Sequence, residues 1–179
     1  MRLAPLALAL GLATAASAQS SPMAAGTDHE KPPVPPSHSL NVTFQGRLRT
    51  FRVEDLLALP QVTVHVHNAQ RNTDETYSGP LLSDVLAKAG LVASKETEPL
   101  ILHSSVIATG TDHYFVLYSA AEVEPMFSRS QVIVAVMKSG LPDAEGGNIQ
   151  LINTDGAKPA RWVHGLADIN VMSVSPTVH

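Results

Sequence analysis

The stretch "VTVHVHN", Val62 to Asn68, alternates apolar and polar residues with a period of two. That is the period of a strand, and it cannot lie along one face of a helix. Val62, Val64 and Val66 share one face, which would turn to a core. His65 and His67 share the other. Short runs of this kind, broken by turn residues, recur along most of the chain. They limit it to a fold dominated by strands.

"SLNVTFQGRLRTFRV" holds two such runs around Gln45-Gly46, which predicts a β-hairpin. Leu40, Val42 and Phe44 point one way, and Leu48 and Phe51 lie beyond the turn. "VEDLLALP" predicts one or two helical turns stopped by Pro60, because proline disfavours helix in the residue before it. "NAQRNTDETYSGP" reads as a polar loop, or as a hairpin return through Thr76 and Tyr77. "LLSDVLAKAGL" has helical spacing and ends at Gly90, a usual residue just past a helix. "EPLILHSSVIATGTDHYFVLYS" gives two apolar runs around Gly110-Thr111-Asp112. "AAEVEPMF" predicts a short helix and "SQVIVAVMKSG" an apolar strand. "LPDAEGGNIQLINTD" is a turn and a strand, and "KPARWVHGLADINVMSV" ends in a last strand. The expected fold class is α+β, a mixed and partly barrel-like β-sheet system with short peripheral helices, over residues 39–179.

The N-terminal region is a different kind of sequence. Arg2, an apolar run to about Ala15 and Ala16-Ser17-Ala18 form a signal-peptide pattern over residues 1–18. The run is shorter than the ~20 apolar residues of a spanning helix. Residues 19–38 are rich in Pro, Ser, Gly and charge, and read as a disordered tether. The expected location is therefore periplasmic or secreted. The 179 residues carry 12 Lys+Arg and 16 Asp+Glu, and losing Arg2 with the leader takes the net charge from −4 to −5. An acidic exported chain is a poor partner for nucleic acid or anionic lipid. No later stretch is long and apolar enough to span a membrane. Cysteine is absent. That excludes disulfides, thiolate metal ligands, cysteine nucleophiles and a lipid anchor on cysteine. No G-x-S-x-G elbow, G-x-G-x-x-G turn or P-loop occurs.

Five segments, in order, resemble the oxidoreductase molybdopterin-binding domain family, whose fold is that of sulfite oxidase. They are "FRVEDLLALPQVTV", "YSGPLLSDVLAKAGL", "TGTDHYFVLYSAAEV", "VIVAVMKSGLPDAEGGNIQLI" and "KPARWVHGLADINV". Together they cover roughly residues 44–171. The resemblance implies a molybdopterin cofactor, held near Asn68, Arg71, His113, Tyr114, Lys158 and Arg161. It also implies a cysteine thiolate on the metal, just after the strand that ends near Val66. Here that loop is "HNAQRN", with Asn68 or His67 at the thiolate's place. A neutral amide is no equivalent of a thiolate as a soft donor. His113 stands where the family has glycine, and "EGGNIQLI" departs from the family's Gly-Pro turn.

Three readings follow. The first is a non-redox domain of this fold that binds a small anionic ligand or a periplasmic protein partner in the former cofactor groove. The second is a periplasmic molybdopterin oxidoreductase with a non-cysteine ligand. The third is a Zn²⁺ or Cu²⁺ protein built on His65 and His67, with a third ligand from His103, His113, His164, Asp112 or Glu75. The plainer reading of the histidine pair is the solvent side of a sheet, and the plainer reading of Arg161-Trp162 is a structural corner with the indole in the core. Asp143 and Glu145 read as a solvated turn. Tyr77, Tyr114 and Tyr118 read as partly buried sheet residues.

Overall fold

A computed structural model describes residues 34–155 and 159–174 of the chain. The expected leader and most of the expected tether lie outside the described residues. The end of the tether is bonded to the domain: the Ser37 N–H donates to Gly147 O at 2.9 Å, and the Thr111 hydroxyl to Pro35 O at 2.5 Å.

Strands β1 (Ser39–Phe44) and β2 (Arg47–Arg52) form the expected hairpin. Its two turn residues, Gln45 and Gly46, both have positive φ (49° and 75°). That is the turn whose twist matches paired strands. Helix α1 (Val53–Leu57) starts where the Asp55 carboxylate accepts the Arg52 N–H at 2.9 Å. Strands β3 (Val62–Asn68) and β4 (Thr73–Gly79) form a second hairpin, so the polar loop is in large part a return strand. Helix α2 (Leu82–Lys88) follows.

The next segment differs from expectation. Glu98–Leu102 is a short helix, α3, with Pro99 in its first turn, where a missing N–H costs nothing. Strands β5 (Ser104–Gly110) and β6 (Phe115–Ser119) then pair around the expected turn. Helix α4 is only four residues long, Ala120–Val123. The Ser119 hydroxyl accepts the Ala121 N–H while the Glu122 carboxylate accepts the Ser119 N–H.

The single apolar strand expected at 130–140 is two strands in two sheets. β7 (Val132–Ala135) pairs with β9 (Gln150–Asn153), and β8 (Met137–Lys138) pairs with β4. The cause lies in the packing. Val132, Val134 and Val136 enter the main core, whereas Ile133 and Ala135 enter a second, smaller one. A strand buried on both faces reads as a continuous apolar run. After the 3₁₀ turn Pro159–Arg161, β10 (Leu166–Ser173) is the last strand among the described residues.

The sheets are mixed. Five strands run in the order β2-β1-β10-β5-β6, with β1 and β10 parallel and the other pairs antiparallel. Three run β3-β4-β8, and two run β7-β9. The mixed sheets and short helices agree with the α+β expectation; of the partly barrel-like arrangement expected, no closed barrel is formed among the described residues. The smaller sheets meet through the Val134 N–H to Pro80 O and the Val136 N–H to Ser78 O. Gly79 makes that approach possible, since a Cβ there would sit 2.0 Å from Val134 O. No helix among the described residues is long and apolar enough to cross a membrane.

Candidate functional site

The β3–β4 hairpin places its odd polar residues inward. On β3 the core-side parity runs Val62, Val64, Val66, Asn68. On β4 it runs Glu75, Tyr77, Gly79, with Val66 opposite Glu75 and Val64 opposite Tyr77. β8 sets Lys138 directly across from Tyr77 on the other side. Thus Asn68, Glu75, Tyr77 and Lys138 converge at one end of the small core, and Asn68, Glu75 and Tyr77 are buried.

Glu75 is the hub. Its Oε1 accepts from Lys138 Nζ at 2.8 Å. Its Oε2 accepts from Asn68 Nδ2 at 3.1 Å and from the Tyr77 hydroxyl at 3.0 Å. Burial by itself would raise the carboxyl pKa. The bonds from Lys138, Asn68 and Tyr77 and the Lys138 charge outweigh it, and the group is held below its ordinary value. Tyr77 moves the other way: burial, then the Glu75 charge and bond, push its hydroxyl far above the usual range. The Lys138 ammonium also lies 5.4 Å from the Tyr77 ring centroid. Trp162 closes the network, its ring 5.8 Å from Tyr77 edge-to-face and its indole N–H donating to Asn153 O at 2.9 Å. Trp162 is therefore the buried corner residue that its sequence setting suggests.

Asn68 is one of the two residues, with His67, to which the family resemblance gives the place of the thiolate. Its amide is bonded through both its oxygen and its nitrogen. Oδ1 accepts the backbone N–H groups of Gln70 (3.1 Å) and Arg71 (3.3 Å), and Nδ2 is spent on Glu75. The side chain caps its own loop, as asparagine does at turns. Such an amide offers a molybdenum ion neither a thiolate nor an unused lone pair. The Asn68 amide does not fit that metal.

Other residues marked from the sequence fall into separate groups. Arg71 is exposed at the loop and makes no side-chain ion pair among the described residues, while its charge reaches the Tyr77 hydroxyl. Arg161 is committed elsewhere. Its guanidinium lies 4.2 Å from the Tyr118 ring centroid and donates to Glu122 Oε1 at 3.1 Å. Tyr114 donates to Ala160 O at 2.5 Å, and Tyr118 donates to Arg161 O, so both tyrosines tie down the 3₁₀ turn. His113 is exposed and adopts φ +65°, the left-handed conformation that favours glycine. Lys158 lies outside the described residues.

His65 and His67 are exposed on the outer face of β3. His65 Nδ1 lies 3.0 Å from Thr76 Oγ1, and His67 Nδ1 lies 2.8 Å from Asp74 Oδ1, each partner directly across the ladder. Among the described residues no group of three His, Asp or Glu is placed to hold a metal.

Lys138 was not marked by sequence reasoning. The signal was available: an alternating reading of "TDETYSG" turns Glu75 inward, and a buried carboxylate needs a cation. The lysine that ends "VIVAVMK" is the cation nearest an apolar strand.

No family model matches the sequence, and no curated protein matches it. Among solved structures the chain is similar to the sulfane dehydrogenase SoxCD from Paracoccus pantotrophus, at 19% identity and a TM-score of 0.57. The match covers 75% of this chain and 38% of that one. The chain thus spans well under half of that protein's length. At this identity the likeness concerns the fold, and it agrees with the mixed sheets and short helices described above.

Proposed function

We propose that this protein is an exported, non-redox domain of the sulfite-oxidase-like fold. It binds a small anionic ligand beside the β3–β4 loop, at Arg71. The observation that carries this reading is the state of Asn68: its amide is bonded on both sides, and a Glu75–Lys138 pair stands behind it. The ion pair fills with protein groups the end of β3, where the resemblance puts the metal's ligand. Arg71, anchored by its backbone to Asn68, is the cation at that loop that has no carboxylate partner among the described residues. A guanidinium can grip a carboxylate, sulfate or phosphate through paired N–H bonds. Fold does not dictate chemistry, so the SoxCD likeness is compatible with a binding role. Export rests on the leader pattern of residues 1–18.

Calorimetric titration of the protein with inorganic phosphate, sulfate and small dicarboxylates tests the proposal. One of these anions is expected to bind stoichiometrically, and Arg71→Ala is expected to weaken it at least tenfold. Binding that survives Arg71→Ala unchanged, or no binding by any of them, overturns the assignment.

A further inference from the structure

The two edges of the five-stranded sheet differ in charge. β6, at one edge, has no charged residue from Phe115 to Ser119. β2, at the other, carries Arg47, Arg49 and Arg52 within six residues, all exposed. Lys88 adds a fourth cation at the end of α2. The chain as a whole is acidic, with 12 Lys+Arg against 16 Asp+Glu.

The edge of β2 is open to pairing. In a two-residue hairpin the residues flanking the turn exchange both backbone bonds, and bonded pairs then alternate. Phe44 faces Arg47, Val42 faces Arg49 and Leu40 faces Phe51, so these positions carry the ladder to β1. Leu48 and Thr50 turn their N–H and C=O groups outward. The Arg52 N–H, which would continue that row, is taken by Asp55. A strand added here would meet two residues unpaired on this side among the described residues, ending at a fixed stop.

Beside this edge lies a groove of about 260 Å³. Phe51, Ala58 and Leu59 give it apolar lining, Arg49 and Lys88 line it with cations, and Asp55, whose carboxylate accepts the Arg52 N–H, lines it as well. Arg49 is held in place: its guanidinium carbon lies 5.1 Å from the Phe51 ring centroid, and one N–H donates to Lys88 O at 2.6 Å. Its remaining N–H groups are available to a ligand.

We infer that β2 is a docking edge for an extended acidic segment of a partner protein. The segment adds as a strand along Leu48 and Thr50. Its carboxylates, at alternate positions, reach Arg47, Arg49 and Lys88. Main-chain bonds supply affinity in strand addition, and side chains on one face supply selectivity. The charge identifies the occupant. A second copy of this chain would set arginine against arginine, and a basic or neutral strand would leave Arg47, Arg49 and Lys88 unanswered.

The test uses a fluorescein-labelled heptapeptide that alternates glutamate with valine and threonine, read by anisotropy against the full chain. Three controls accompany it: the same peptide with lysine for glutamate, the same peptide N-methylated at alternate residues, and vesicles containing phosphatidylserine. The acidic peptide is expected to bind, and to weaken at least tenfold with Arg47→Glu, with N-methylation and with high salt. The lysine peptide is expected not to bind. Binding that N-methylation leaves intact would mean surface adsorption of charge and would overturn strand addition. Capture by the vesicles without the peptide would make a membrane the occupant. Absence of binding by every probe would leave the arginines as guards of an edge strand, which also overturns the inference.

Discussion

Replacing Lys138 by Met probes the buried network while keeping the length of the side chain. Removing one partner of a buried ion pair costs about 3–5 kcal/mol, because the other charge is left uncompensated. Here Glu75 is 6% exposed and Lys138 24% exposed, so water already shares the ammonium. The carboxylate would also keep its bonds from Asn68 and Tyr77. The expected loss is therefore smaller, about 2–3 kcal/mol at pH 7 in urea unfolding. The dependence on pH has a definite sign. In the native protein the Glu75 pKa is lowered, so its ionisation stabilises the fold above the unfolded value of 4.5 and that contribution fades as pH falls through the folded value. Without Lys138, its bond and its charge no longer lower the carboxyl, and the folded pKa rises from its native position. The variant then gains relative stability as the carboxyl takes up a proton. The gap between the two proteins is expected to be widest at pH 7 and to narrow by pH 4. Adding Glu75→Gln to Lys138→Met should bring stability back to within about 1 kcal/mol of the native protein, since no bare charge remains. A loss below about 0.5 kcal/mol, or one equal at both pH values, would refute the reasoning.

Gly79→Ala is expected to cost about 3 kcal/mol or more, or to abolish soluble expression, because the new methyl would overlap the backbone of Val134 and Ala135, which cannot swing away. Urea midpoints and yield check this. Trp162→Phe should lose about 2 kcal/mol, with Asn153 O left without its indole donor and the Tyr77 contact shortened of one ring. Chemical denaturation reads it directly. His65→Ala with His67→Ala should shift stability by no more than about 0.5 kcal/mol and leave a zinc titration unchanged, since both rings lie on the exposed side of β3. A zinc-dependent rise in melting temperature that the double variant removes would instead reveal a site.

Much of the fold is legible because each strand states its own period. Leu40, Val42 and Phe44 announce β1, and Gln45-Gly46 announces the turn. The errors have physical sources. "SQVIVAVMKSG" lacks alternation because β7 feeds two cores at once, so nothing local marks the break at Val136. Glu98–Leu102 looks like a strand's approach because five residues are too few to display a helical period. β4 was half hidden because its outward residues are polar and its inward ones, Glu75 and Tyr77, carry polar atoms too. Partial closure of the sheets was expected, but strand periodicity does not encode how sheets meet. In the site, the lack of cysteine was plain from the sequence. What took its place was not, because Glu75 and Lys138 are 63 residues apart and meet only through the β4–β8 pairing. The pairing of Arg161 with Glu122 was equally invisible, since it depends on where α4 ends.

The account rests on Asn68 and the ion pair behind it standing where a metal ligand would. The most direct test is elemental analysis, with pterin fluorescence, of the protein purified from the periplasm of a host that makes the molybdopterin cofactor. The account predicts molybdenum and pterin well below one per chain. One molybdenum and one pterin per chain would contradict it, and would make Asn68 or His67 the first residue to replace in search of the ligand.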